Sequence, residues 1–156
     1  MARAKQYWLF KSDPESFSIT DLVASPEQTT CWDGVRNYQV RNMMRDDMAP
    51  GDLLLFYHSN NSPGVYGTAK IVSQAYADHT AWEPGNHHFD AKASPENPIW
   101  QMVDIQLDKV FKHPVTLDQL RNDERFAEML ILRRGNRLSI TPVSKDEYQA
   151  IVKLGK

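Results

Sequence analysis

The run Leu53-Leu54-Leu55-Phe56-Tyr57 restricts the fold more than any other stretch of this chain. Pro50-Gly51-Asp52 precedes it and Asn60-Asn61-Ser62-Pro63-Gly64 follows it, so turn chemistry closes it on both sides. A nearly continuous apolar run of this kind, over 52–59, reads as a buried strand. Tyr7-Trp8-Leu9-Phe10-Lys11 is equally aromatic and apolar and reads as a second interior strand.

The other segments take their places around these two. Pro14 ends the first strand, and Ser12 with Glu15 has capping-box spacing for a short helical turn. Ile19 to Val23 is a short helix ended near Pro26. From Asn37 to Met48, Val40, Met43, Met44 and Met48 recur at helical spacing, so this methionine stripe faces the core and needs no functional reading. Val65, Gly67, Ala69 and Ile71 alternate with Tyr66, Thr68, Lys70 and Val72, which predicts a strand with two unlike faces. Gly67 and Ala69 admit a close approach by a helix or a ligand, packing being the commoner cause. Residues 73–98 are irregular and rich in aromatic, histidine and proline residues, a length of loop that is often functional. Trp100 to Phe111 is a strand, and Thr116 with Gln119 caps a short helix through Leu120. The basic turn Arg133-Arg134-Gly135-Asn136-Arg137 leads into a short strand, Leu138 to Thr141. Ser144 and Glu147 open a final helix whose Tyr148, Ile151 and Val152 face inward.

This order lacks the regular strand-helix alternation of a doubly wound parallel sheet. The expected class is α+β: a mixed, strongly twisted sheet curled toward a barrel, with helices at its ends and side. With no repeat, low-complexity tract or linker, the 156 residues form a single expected domain, 1–156.

The formal net charge of −2 gives no global positive field for a phosphate backbone. Nucleic-acid contact therefore has to come from a local patch or from recognition of one base. Cys31 is the sole cysteine, which excludes an intramolecular disulfide and a cysteine-based zinc site and fits a reducing compartment. No apolar run is long enough to span a membrane, and Met1 to Gln6 carries no secretory core. Cytoplasm is the expected location.

The chemically densest stretch is Thr29 to Asn42, where Trp32 and Tyr38 stand among Asp33, Gly34, Arg36, Asn37, Arg41 and Asn42. Gly34 permits a tight turn after Trp32, and Asn37 can cap the helix that follows. A ring beside fork-shaped and amide donors suits a flat polar ligand such as a nucleobase. The bland reading, core aromatics with solvated arginines, has even standing on these residues alone. A nucleophilic reading would use Cys31 with His58 or His79 as base, but spacing shows no activating partner. A metal reading from His79, His87, His88 and Asp90 is weak, since adjacent histidines diverge. No phosphate-cradling glycine loop occurs. No catalytic residue, metal or cofactor is expected. In the binding reading Trp32 and Trp82 are stacking walls, while Lys11, Ser12, Asp33 and Asn37 contact a base edge. Arg36, Arg41, Arg133, Arg134 and Arg137 would hold phosphates.

Taken together, Tyr7 to Ser12, Trp32 to Tyr38, Phe56-Tyr57-His58-Ser59, Gly67 with Ala69, and Arg137-Leu138-Ser139 closely resemble the EVE domain family. The resemblance runs from about Tyr7 to the last helix. It implies a PUA-like pseudobarrel, a kinship with YTH domains that cage a methylated adenine, and recognition of a methylated or hydroxymethylated base in DNA or RNA. Lys11 and Ser12 match the lysine-serine pair at the first strand end of YTH domains, and Trp32 matches their first cage tryptophan. Trp82 is the candidate second wall. Asp33 stands where YTH domains carry a different polar residue, which counts against methyladenine. Val35, Arg36, Asn37, Tyr38, His58, Ser59, Tyr66 and Arg137 belong to the EVE motifs and join the expected pocket. The expected function is a non-enzymatic modified-base reader. The alternatives are a hydrolase acting on a modified nucleotide or nucleoside through Cys31 or His58, and a small-molecule-sensing or interaction module.

Overall fold

The computed structural model describes residues 4–156; the start of the N-terminal segment, Met1 to Arg3, lies outside them. In chain order the elements are β1 (Tyr7–Ser12), α1 (Ile19–Ala24), β2 (Thr29–Trp32), α2 (Tyr38–Asp46), β3 (Leu53–His58), β4 (Gly64–Ile71), β5 (Tyr76–Ala77), β6 (Gln101–Thr116), α3 (Leu117–Arg121), β7 (Ile140–Val143) and α4 (Lys145–Gly155). Seven strands form one mixed sheet in the order β2-β6-β4-β3-β1-β7, with β5 paired to β6. β1 and β3 run parallel, in register from Tyr7 opposite Leu53 to Ser12 opposite His58. All other described pairings are antiparallel. The sheet curls as expected but does not close, and β2 and β7 are its two ends.

The continuous apolar character of β1 and β3 follows from their position. Trp8, Phe10, Leu54 and Phe56 point into a core completed by Ile19 and Leu22 of α1 and Val40 and Met44 of α2. Leu9, Leu55 and Tyr57 point the other way, into a core completed by Leu120 of α3 and Tyr148 and Ile151 of α4. Each face has its own helical cover, so alternation is lost. β4 is likewise covered on both faces, with only Lys70 exposed, rather than having two unlike faces. Gly67 has the packing explanation: a Cβ there would lie 2.3 Å from Ile19 Cδ1 and 2.3 Å from the Lys109 carbonyl oxygen. Register shifts between Val65 and Gly67 and between Thr68 and Ala69 bend the β4–β6 ladder. β6 thereby runs on to Thr116, past the expected end at Phe111.

Helix starts follow the capping rules at Ser18, Thr116 and Ser144, each with a reciprocal partner three residues on. Ser12 does not cap. It is the inward residue at the end of β1, and its hydroxyl donates to the Phe17 carbonyl. The turn after it is held instead by Asp13, whose carboxylate accepts from the Glu15 amide at 3.0 Å. Buried Asp52, expected only as a turn residue, accepts from the Gln6 amide, the Trp8 indole N–H and the Ala49 amide. It thus fixes the start of β1 against the turn before β3.

Candidate functional site

β1 and β2 are separated in the sheet by β6, β4 and β3, yet curling brings their ends together. Phe10 of β1 and Trp32 of β2 meet across the gap with ring centroids 5.2 Å apart. A cavity of about 570 Å³ opens there. Lys11, Ser12 and Asp13 line it from the end of β1, and Ser16 and Phe17 from the turn that follows. Thr30, Cys31, Trp32, Asp33, Gly34 and Val35 line it from β2 and its exit, His87 and His88 from the long loop, and Ser139 from just before β7.

Trp32 is fixed by perpendicular contacts, its ring set edgewise to Phe10 and, at 5.7 Å and 89°, to Phe56. His87 and His88 add two further rings to the lining, with centroids 3.9 Å apart. Gly34 explains how His88 gets so close. Its φ is +79°, and a Cβ would fall 2.5 Å from His88 Nε2, so only glycine serves on both counts. Arg36 then holds the loop, donating through Nε and Nη2 to the His88 carbonyl at 3.0 and 2.7 Å and through Nη1 to Asp78 at 3.0 Å. Asp78 also accepts from the Gly34 amide at 2.9 Å and from Thr80. Burial alone would raise its carboxyl; bonds from Thr80, Gly34 and Arg36 outweigh that and hold it below its ordinary value. Burial pushes His88 below the usual imidazole range, against the opposing pull of Asp33.

Five residues expected in the pocket line it: Lys11, Ser12, Trp32, Asp33 and Val35. The others lie elsewhere for identifiable reasons. Trp82 packs on the buried cluster of Ala81, Ala93 and Trp100, so it pins the long loop and does not line the cavity. Asn37 spends its side chain on the Val40 amide as the N-cap of α2. Tyr38 is exposed outside the cavity, tilted against Trp100 at 4.7 Å. Arg36 is engaged by the loop, and Arg41 donates to the Ile99 carbonyl at 3.0 Å with its guanidinium 4.9 Å over the Tyr38 ring. His58 is buried behind Ser12, accepts from the Ile19 amide at 3.1 Å and stacks on Tyr66 at 4.1 Å. Tyr66 donates to the Ser62 carbonyl, and the Ser59 amide donates to the Ser12 carbonyl. These three therefore support the cavity from behind. Arg133 pairs with Glu128 at 3.3 Å on the surface, while Arg134 and Arg137 are exposed on the turn that leads to Ser139. Asp13, Phe17 and Ser139 carried no sequence signal as lining residues. His87 and His88 stood out as rings on a long loop, but they were weighed only as weak metal ligands and not as rings lining the pocket.

Chemically, the cavity offers aromatic faces, one ammonium and two carboxylates. Burial, aided by the Asp33 and Asp104 carboxylates, pushes the Cys31 thiol above its ordinary value, so it is protonated at neutral pH. His58 has committed its acceptor nitrogen to the Ile19 amide. Neither is set up as nucleophile or base. Among the described residues no group of three or more His, Cys, Asp or Glu is arranged to hold a metal, and no helix is long and apolar enough to cross a membrane.

Known proteins share both the fold and most of the chain. The sequence is 42% identical to human thymocyte nuclear protein 1 over 165 residues, covering 95% of this chain and 73% of that protein. A hypothetical protein from Leishmania major superposes with a TM-score of 0.91 at 42% identity, covering 97% of this chain and 95% of that one. The human THYN1 protein, solved in complex with DNA containing 5-methylcytosine, superposes with a TM-score of 0.90 at 41% identity, covering 97% of this chain and 98% of that one. Residues 6–154 match the EVE domain model. With motifs, mixed curled sheet and relatives in agreement, the chain belongs to the EVE domain family.

Proposed function

We propose that this protein is a non-enzymatic reader that takes one modified base, 5-methylcytosine in DNA foremost, into the cavity lined by Trp32 and the His87–His88 pair. The observation that carries the reading is the cavity itself, lined by the rings of Phe17, Trp32, His87 and His88 and by the charged groups of Lys11, Asp13 and Asp33. A relative of the same fold is crystallised with 5-methylcytosine DNA, which supports it further. Trp32 stacks on the base, Lys11 and Asp33 meet its polar edge, and Arg134 and Arg137 on the turn before Ser139 receive phosphate. Flipping a base from a duplex costs a few kcal/mol, so single-stranded sites bind more tightly than paired ones. RNA carrying the same mark is a second ligand of this proposal, and a cytoplasmic location is part of it, a reading with which the free thiol of Cys31 is compatible.

The test is a titration of short DNA and RNA oligonucleotides, single-stranded and duplex, each with a methylated, hydroxymethylated or plain cytosine, followed by tryptophan fluorescence. The modified single strand is expected to bind most tightly. Trp32→Ala is expected to weaken it by about 1–3 kcal/mol, the worth of one stacked base. Because Trp32 also packs on Phe10 and Phe56, Trp32→Phe is run beside it and retains part of the binding with the fold intact. Equal affinity for modified and plain strands sinks the reader.

A further inference from the structure

The His87–His88 pair has a second side. Behind it lies another hollow, of about 350 Å³, lined by Arg36, His87, His88, Phe89, Asp90 and Trp100. The two histidines belong to the linings of both hollows, so the two are neighbours. Two large rings are left exposed at this place. Phe89 is 49% accessible, and Tyr38, tilted against the Trp100 indole at 4.7 Å, is 56% accessible. The Arg41 guanidinium lies 4.9 Å from the Tyr38 ring centroid, and among the described residues it makes no ion pair with a carboxylate. The neighbouring carboxylate, Asp90, accepts from the Trp100 indole N–H at 2.8 Å and from the Lys92 amide. Arg41 donates only to neutral oxygens, Nε and Nη2 to Asn42 Oδ1 and Nη1 to the Ile99 carbonyl, so its charge has no carboxylate at ion-pair distance among the described residues. Exposed rings next to a guanidinium, neighbouring the main cavity, have the composition of a stacking platform for single-stranded nucleic acid.

We propose that Phe89, Tyr38 and Arg41 form a second station, which receives the nucleotide next to the modified base. The strand crosses the His87–His88 ridge, the neighbouring base stacks on Phe89 or Tyr38, and its phosphate meets Arg41. This rests on the reading of the main cavity given above. It adds that the ligand is an unpaired dinucleotide step rather than a lone base, and that contact extends to one side of the mark only.

The experiment uses two probes, the nucleoside 5-methyl-2′-deoxycytidine and single-stranded trinucleotides carrying 5-methylcytosine at the first, middle or last position. Wild type, Tyr38→Ala, Phe89→Ala and Arg41→Gln are titrated with each. Wild type is expected to gain affinity from a neighbour on one side of the mark and not the other. Phe89→Ala or Tyr38→Ala is expected to weaken the favoured trinucleotide by between about five- and hundredfold while leaving nucleoside binding unchanged. Arg41→Gln is expected to lower the salt slope of trinucleotide binding by about one. Trinucleotides no tighter than the nucleoside, or variants equal to wild type on both probes, overturn the second station. A variant that loses both probes equally has damaged the main cavity and also counts against it. Failure of wild type to bind either probe is failure of the reader itself, a separate outcome.

Discussion

In the proposed reader, Asp33 is the group that selects which edge of a base the cavity accepts. Its carboxylate is 3.9 Å from His88 Nδ1, too far for a hydrogen bond. His88 is held toward its neutral form by burial, so Asp33 has little ionic claim on it at neutral pH. A free carboxylate accepts from the amino group of cytosine and repels the carbonyl of thymine. Asp33→Asn can donate as well as accept, and is expected to cut discrimination between 5-methylcytosine and thymine by roughly 1–3 kcal/mol. Competition between the two single strands measures it; unchanged discrimination removes Asp33 from the base edge. Lys11, Trp32 and Asp33 were legible in the sequence because each carries its chemistry at a strand end. Tyr38 misled for a spatial reason. It is close to Trp32 in sequence, but the φ of +79° at Gly34 and the start of α2 intervene, and it tilts against Trp100 outside the cavity.

At the scale of elements, the cavity depends on how β1, α1 and β3 are tied together. His58, at the end of β3, accepts the amide of Ile19 at the first position of α1. Burial lowers its pKa below the ordinary 6.5. The unfolded chain therefore binds a proton at a pH where the folded chain does not, and stability rises with pH through that window. The contribution is complete above about pH 6.5 and is lost as pH falls through the folded value. Melting temperatures between pH 7.5 and 5 are expected to drop, and the drop should be smaller in His58→Gln, whose amide oxygen accepts without titrating. Identical pH profiles would show that His58 does not titrate in this way. The caps at Asn37, Thr116 and Ser144 were readable because capping is local, whereas the box at Ser18 was passed over for the spacing of Ser12 and Glu15. β2 was not: its four half-buried residues have no alternation, and only pairing with β6 makes them a strand.

For the whole molecule, a net charge of −2 means that affinity comes from the base and a few phosphates. A slope of about −0.7 per neutralised phosphate on a single strand predicts a shallow salt dependence, about −1 to −2 overall. Titrations across a tenfold range of salt check this, and a steep slope would point to a long backbone track instead. The mixed sheet was legible from element order. Its failure to close was not, because closure depends on how far the β4–β6 ladder bends. That gap has a further consequence. Its lining spans Lys11 to Ser139, and β1 is bordered by β7 from the far end of the chain. The cavity is complete only once both ends of the chain have docked. A fluorescent base analogue added during refolding would therefore act as a clock, silent while either end is undocked and lit once both are in place.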